Sequence, residues 1–345
     1  MKRYGFLRKI CICLGILFFS NYMTFSVKED KIAKADTESR AECVIEAESR
    51  RIVYESHGDK RLPMASTTKI LTALTVLEMY EDLQEKVTIP KQAEGIEGSS
   101  VYLKSGEIYT LEDLLYGMML RSGNDCACAL AYHCSGSIGE FAARMNELAQ
   151  KAGAIESHFS NPHGLPCEKH YTTARDLAYI TALAMENPRF REIVATEYYQ
   201  PYGWKNKNKL LFSYEDAIGV KTGYTKEAGR CLVSAAKKES TTFISVVLGC
   251  GPMYERSEML LRDAFDNYRQ TLLLGMKTGL PLQSGQKGYA KEDIYYPLMD
   301  GEESQLEIKT YSSKGVRIDK DGEIVGQFEI YLSKRLLFSG NLYKL

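Results

Sequence analysis

Three short polar elements, far apart in the chain, constrain its fold more than any other feature. They are Ser66-Thr67-Thr68-Lys69, Ser122-Gly123-Asn124 and Lys221-Thr222-Gly223. Each is weak alone. A Ser before a helix caps it, Ser-Gly-Asn makes a turn, and Lys-Thr-Gly ends a strand. Yet each falls on a different predicted element. Apolar residues recur at Ile70, Leu71, Leu74, Leu77 and Met79, so a helix is predicted over 67–80 with Ser66 near its start. Ser122 to Asn124 separates a helix predicted over Leu111–Leu120, opened by Thr110 with Asp113 three residues on, from another over 126–134. Lys221 lies in a short run of β-formers at 220–223. If the three act together, a helix start, an interhelical turn and a strand must meet.

The chemistry supports the grouping. Residues at i and i+3 share one face of a helix, so Lys69 can reach Ser66. A serine hydroxyl is a weak nucleophile and needs an adjacent base. Lys69 serves only if burial and a nearby cation lower its pKa, and Lys221 could supply that cation. A backbone N–H at the start of a helix can stabilise an oxyanion at Ser66. A Gly on the strand lets a substrate backbone approach closely.

The rest of the chain is organised around these elements. Residues 44–54 read as a strand entering a loop at Gly58, and 138–153 as a helix. Thr172 or Thr173 caps a helix over 174–185, halted before Pro188. The runs 230–237 and 242–248 flank a hairpin turn at Lys238-Glu239-Ser240. A long amphipathic helix is predicted over 253–274. Residues 36–275 then form one domain and 276–287 a Gly- and Lys-rich linker. Residues 288–345 alternate in polarity, with Asp-Gly turns at Asp300 and Asp321, as a small all-β domain would.

Residues 1–35 stand apart. Basic residues Lys2, Arg3, Arg8 and Lys9 precede an apolar stretch, and Ala33-Lys34-Ala35 fits a small-x-small cleavage pattern. This is the layout of a secretory signal peptide, with a short buried helix and an uncleaved signal anchor as the other readings. Whether the signal is cleaved or kept as an anchor, the body of the protein is expected to work outside the cytoplasm. The 44 Lys and Arg nearly balance the 45 Asp and Glu, which argues against a nucleic-acid binder. Beyond the leader, Cys43, Cys126, Cys128, Cys134, Cys167, Cys231 and Cys250 are odd in number and cannot all pair within the chain. The spacing of the five His, including His163 and His170, shows no His-Glu-x-x-His metal motif.

The ordered Ser-x-x-Lys, Ser-x-Asn and Lys-Thr-Gly set resembles the D-alanyl-D-alanine carboxypeptidases, the low-molecular-mass penicillin-binding proteins. The resemblance extends to Gly98-Ser99-Ser100-Val101-Tyr102-Leu103, to Asp113 through Asp125, to Asn161-Pro162-His163-Gly164-Leu165, to Thr172 through Leu177 and to Gly219 through Thr225. It implies an α+β fold with a serine β-lactamase/transpeptidase-like domain: a five-stranded antiparallel sheet with flanking helices and an all-helical lobe, followed by a β-rich domain. It implies that Ser66 attacks the D-Ala-D-Ala bond of peptidoglycan stem peptides, that Lys69 takes its proton and that Ser122 relays one to the leaving amine. Asn124 would hold the substrate amide. Lys221 and Thr222 would bind the terminal carboxylate, with Gly223 giving access. The N–H groups of Ser66 and Tyr224 would form the oxyanion hole, and Arg256 would assist the carboxylate pocket. β-Lactams would be covalent inhibitors, and no metal or cofactor is implied. Many family members carry a C-terminal amphipathic membrane helix, and none is evident before Leu345. Two alternatives are a β-lactamase and a non-catalytic wall-binding module. A class A β-lactamase deacylates through a Glu, and 157–163 holds no acid.

Overall fold

The computed structural model describes residues 39–319 and 321–344, so the leader expected over 1–35 lies outside the described residues. Strands β1 (Ala41–Glu46) and β2 (Ile52–Ser56) form an antiparallel hairpin where one strand was expected. The Glu46 carboxylate bends the chain by accepting the N–H groups of Glu48 (3.1 Å) and Ser49 (2.7 Å). A 3-10 turn, Ala65–Thr68, leads into α1 (Lys69–Met79). A small hairpin, β3 (Lys86–Thr88) with β4 (Ile108–Thr110), precedes α2 (Leu111–Leu120), α3 (Asn124–Ser135) and α4 (Ile138–Lys151). The expected cap on α2 forms as a full capping box, Thr110 and Asp113 each accepting the other's N–H. Helix α5 (Ala174–Glu186) is capped by Thr173, and Pro188 opens α6 (Pro188–Ala195) behind an Asn187 cap. The miniature strands β5 (Tyr198–Tyr199) and β6 (Trp204–Lys205) and the short α7 (Leu210–Ser213) lead back to the sheet.

Strands β7 (Ala217–Thr225), β8 (Gly229–Lys238) and β9 (Thr241–Leu248) complete it in the order β2-β1-β9-β8-β7, antiparallel throughout. Both faces are covered, which explains the near-continuous apolar runs. Cys231, Val233 and Ala235 pack with α1 to α6, while Leu232, Ala236 and Phe243 pack under α8 (Met253–Asn267).

The predicted helix over 253–274 stops at Asn267, and Tyr268–Leu274 is strand β10. Tyr268 and Thr271 favour extended backbone, and β13 (Ile294–Met299) supplies a ladder partner that local periodicity cannot reveal. The expected linker is likewise structured. It contains β11 (Leu280–Pro281), which pairs with β12 (Lys287–Gly288), and Leu282 is buried in a second core with Leu274, Val325, Phe328 and Ile330. A three-stranded sheet of β14 (Leu306–Asp319), β15 (Gly322–Leu332) and β16 (Arg335–Tyr343) closes this region. The β1–β2 turn holds it to the main sheet. Arg51 binds both carboxylate oxygens of Glu302 (2.7 and 2.8 Å) and lies over the rings of Tyr268 and Tyr296. Among the described residues no helix is long and apolar enough to cross a membrane. All seven described cysteines are free, five of them buried.

Candidate active site

Lys69 opens α1 and has no exposed surface. Its Nζ lies 3.0 Å from Ser66 Oγ, 2.6 Å from Asn124 Oδ1 and 2.6 Å from the His163 carbonyl oxygen. Asn124 Nδ2 donates to the Glu97 carbonyl at 2.6 Å, which fixes Oδ1 as the acceptor facing Lys69. Two of the three partners of Nζ can therefore only accept. A neutral amine has two N–H bonds, and these two partners take both. Its lone pair then faces the Ser66 hydroxyl, which is the arrangement a base requires. Burial, first of all, pulls the Lys69 pKa down to about 7. The charge that adds to this lowering is that of Lys207, not the expected Lys221.

Ser122 is buried and holds φ at 64°, two residues before Asn124 at the start of α3. Next in line is Asp125, the last residue of the 113–125 stretch, to which sequence reasoning gave no role. Its buried carboxylate accepts from Ser100 Oγ (2.5 Å) and from the N–H groups of Val101 (3.1 Å), Leu103 (3.1 Å) and Cys126 (2.9 Å). It thereby fastens the 97–103 loop, whose Glu97 carbonyl orients Asn124, to the start of α3.

Strand β7 brings Lys221, Thr222, Gly223 and Tyr224 to the same place. A Cβ on Gly223 would stand 3.0 Å from both Met64 O and Ser66 N, so only glycine lets the strand lie against the Ser66 turn. Lys221 is buried, and Nζ donates to the Thr222 carbonyl at 2.9 Å. Burial, then Lys69, then Lys207, push its pKa well below the ordinary lysine value. Lys207 is exposed and donates to Ser99 Oγ at 3.1 Å. Sequence reasoning missed it. The only signal was its place between Asn206 and Asn208, whose side chains accept nearby backbone N–H groups. Tyr224, further along β7, is two-thirds exposed.

Arg256 is not part of this cluster, which corrects the expectation from position alone. Its Nε and Nη2 bind both oxygens of Glu42 at 2.7 and 2.6 Å, and Tyr54 Oη lies 3.0 Å from Nη2. Glu42 is on β1, three strand spacings from β7 or about 14 Å across the sheet. The guanidinium neutralises a buried carboxylate beneath α8. His163 contributes its carbonyl, not its ring. Among the described residues no group of His, Cys, Asp or Glu could hold a metal ion.

The family model described as D-alanyl-D-alanine carboxypeptidase matches residues 26–251. D-alanyl-D-alanine carboxypeptidase DacF of Bacillus subtilis is 32% identical over 275 residues, covering 74% of this chain and 70% of its own. DacC of Escherichia coli is 33% identical, with 77% and 70% covered. The structure of penicillin binding protein 5 from Haemophilus influenzae superposes with a TM-score of 0.74 at 25% identity, covering 89% of this chain and 96% of that one. A mutant of the Streptomyces K15 DD-transpeptidase superposes with a TM-score of 0.61 at 34% identity, covering 65% and 96%.

Proposed function

Because this chain belongs to the D-alanyl-D-alanine carboxypeptidase family, we propose that it removes the terminal D-alanine from peptidoglycan stem pentapeptides with Ser66 as its nucleophile. The observation that carries this assignment is the buried Lys69 amine, aimed at Ser66 Oγ by two partners that can only accept. Ser66 Oγ attacks the carbonyl carbon of the penultimate D-alanine, and Lys69 takes the hydroxyl proton. The N–H groups of Ser66 and Tyr224 bind the oxyanion, a pairing supported by the close approach of Gly223 to Ser66 N. The C–N bond then breaks, and a proton passed through Ser122 leaves with the D-alanine amine. Water attacks the acyl-enzyme and frees the shortened peptide. No step calls on a metal or cofactor.

Lys221 and Thr222 bind the terminal carboxylate. The amines of Lys69, Lys207 and Lys221 cannot all be charged cheaply: Lys207 lowers both buried lysines, and Lys69 lowers Lys221. An arriving carboxylate favours the charged form of Lys221 while Lys69 stays neutral, so substrate binding itself sorts the two lysines into binder and base. β-Lactams acylate the same serine. The work is extracytoplasmic, at the outer face of the membrane or in the wall, as the leader over 1–35 suggests.

Intact mass of the protein before and after penicillin tests the assignment. A slowly decaying adduct of one drug, missing in Ser66→Ala, is expected. Rapid return to the free mass with hydrolysed drug would mark a β-lactamase, and no adduct at all a non-catalytic module.

A further inference from the structure

The chemistry above uses Ser66 but not the device that holds its turn. Ala65, immediately before it, has φ of 51°, a left-handed backbone that a residue with a Cβ adopts at a cost. The Ala65 carbonyl accepts the Thr68 hydroxyl at 2.8 Å. Gly164 is pressed against the same carbonyl, and a Cβ there would fall 1.9 Å from its oxygen. Thr68 Oγ1 in turn lies 2.8 Å from His170 Nε2. The other ring nitrogen, Nδ1, receives the Ser160 N–H at 3.0 Å.

A backbone N–H only donates, so Nδ1 holds a lone pair and the ring proton sits on Nε2. Thr68 has one hydroxyl proton and gives it to Ala65, so it accepts from His170. The chain runs one way, from Ser160 N–H through His170 and Thr68 to the Ala65 carbonyl. His170, Thr68 and Ala65 are all buried. Phe159 stands edge-on to the imidazole at 5.8 Å. Burial, with the charges of His158 and Lys69 adding, pulls the imidazole pKa down to about 4, so the tautomer persists at neutral pH.

We propose that His170 is a positioning residue for acylation: by donating to Thr68 it holds the Ala65–Ser66 backbone so that Ser66 Oγ and N–H face the substrate carbonyl. This rests on the reading of Ser66 as nucleophile. No motif carries it, since 102 residues separate His170 from Thr68.

The test measures penicillin acylation rate, and kcat and KM on a D-Ala-D-Ala peptide, for wild type, His170→Gln, His170→Asn, Thr68→Val and the His170→Asn/Thr68→Val double variant. The Gln amide can replace the Nε2–H donor, whereas the Asn carbonyl can replace only the acceptor for Ser160. His170→Asn and Thr68→Val are each expected to slow acylation and kcat by about tenfold or more, with KM within about threefold. His170→Gln should recover most of that loss. The double variant should be no slower than the worse single one, because both act through one bond. Equal rates for the Asn and Gln variants, losses that multiply, or a change confined to KM would each overturn the proposal. A thermal midpoint lowered equally in the Asn and Gln variants, with no split in rate, would also overturn it and leave a structural histidine. A wild type that never acylates would overturn the nucleophile reading itself, and this proposal with it.

Discussion

A lysine amine without exposed surface is costly to charge, and in Lys69 that cost becomes basicity near neutrality. Lys69→Ala should therefore slow acylation by at least ~10³, a loss read from penicillin labelling kinetics. A loss under tenfold would remove it from the role of base. The wild-type acylation rate should rise with pH through about 7, as Lys69 loses its proton, and then level off. A flat profile across that range would contradict the assignment. Stability should follow the same group with a definite sign. Between about 7 and 10.5 the folded chain holds Lys69 neutral while the unfolded chain keeps it charged. The unfolded state binds more protons there, so this contribution raises stability with pH across that interval. Below 7 both states are charged and the full burial cost remains. Chemical denaturation at pH 6 and pH 9, compared between wild type and Lys69→Met, would show the difference: the pH-dependent gain belongs to the wild type alone.

Among elements, the junction of the 97–103 loop with α3 has the most at stake. Asp125→Ala would strip four buried or part-buried donors of their acceptor. A stability loss of about 3 kcal/mol is expected from the groups left unsatisfied, together with slower acylation as Asn124 loses its frame. An unchanged unfolding midpoint would show that the loop is held otherwise. This anchor was half legible in the sequence. Its two ends, Ser99 through Leu103 and Asn124-Asp125, stand out as motifs, but nothing local says that one binds the other. The same boundary separates the rest of what the sequence disclosed from what it did not. Helices α1, α2, α4 and α5 follow from apolar spacing and caps, and Ser66, Lys69, Asn124 and Lys221 from spacing along single elements. Arg256 was misplaced because its partner Glu42 lies 214 residues away. Strand β10 was read as helix because its ladder partner, β13, comes 20 residues later. Lys207 and His170 depend on tertiary neighbours alone.

At the scale of the whole molecule, the β-rich C-terminal region and the catalytic sheet meet at Arg51. Its side chain is 12% exposed and that of Glu302 is 21% exposed. Removing one member of so shielded a pair leaves the other buried without a counter-charge, at a cost of about 3 kcal/mol. Arg51→Ala should split thermal unfolding into two transitions, the C-terminal strands melting first, with penicillin labelling unchanged at room temperature. One transition at the wild-type midpoint would show that the two regions do not depend on this clasp. The three amines of the site have a further consequence of this global kind. With the pocket empty the buried Lys221 has no counter-ion, and any small carboxylate that binds it lets it take up charge and stabilises the whole chain by mass action. The idle enzyme is thus its own most fragile form. A preparation stored in plain buffer ages in that form, while one supplied with a D-alanyl carboxylate, as in a wall crowded with stem peptides, is protected by the traffic it serves.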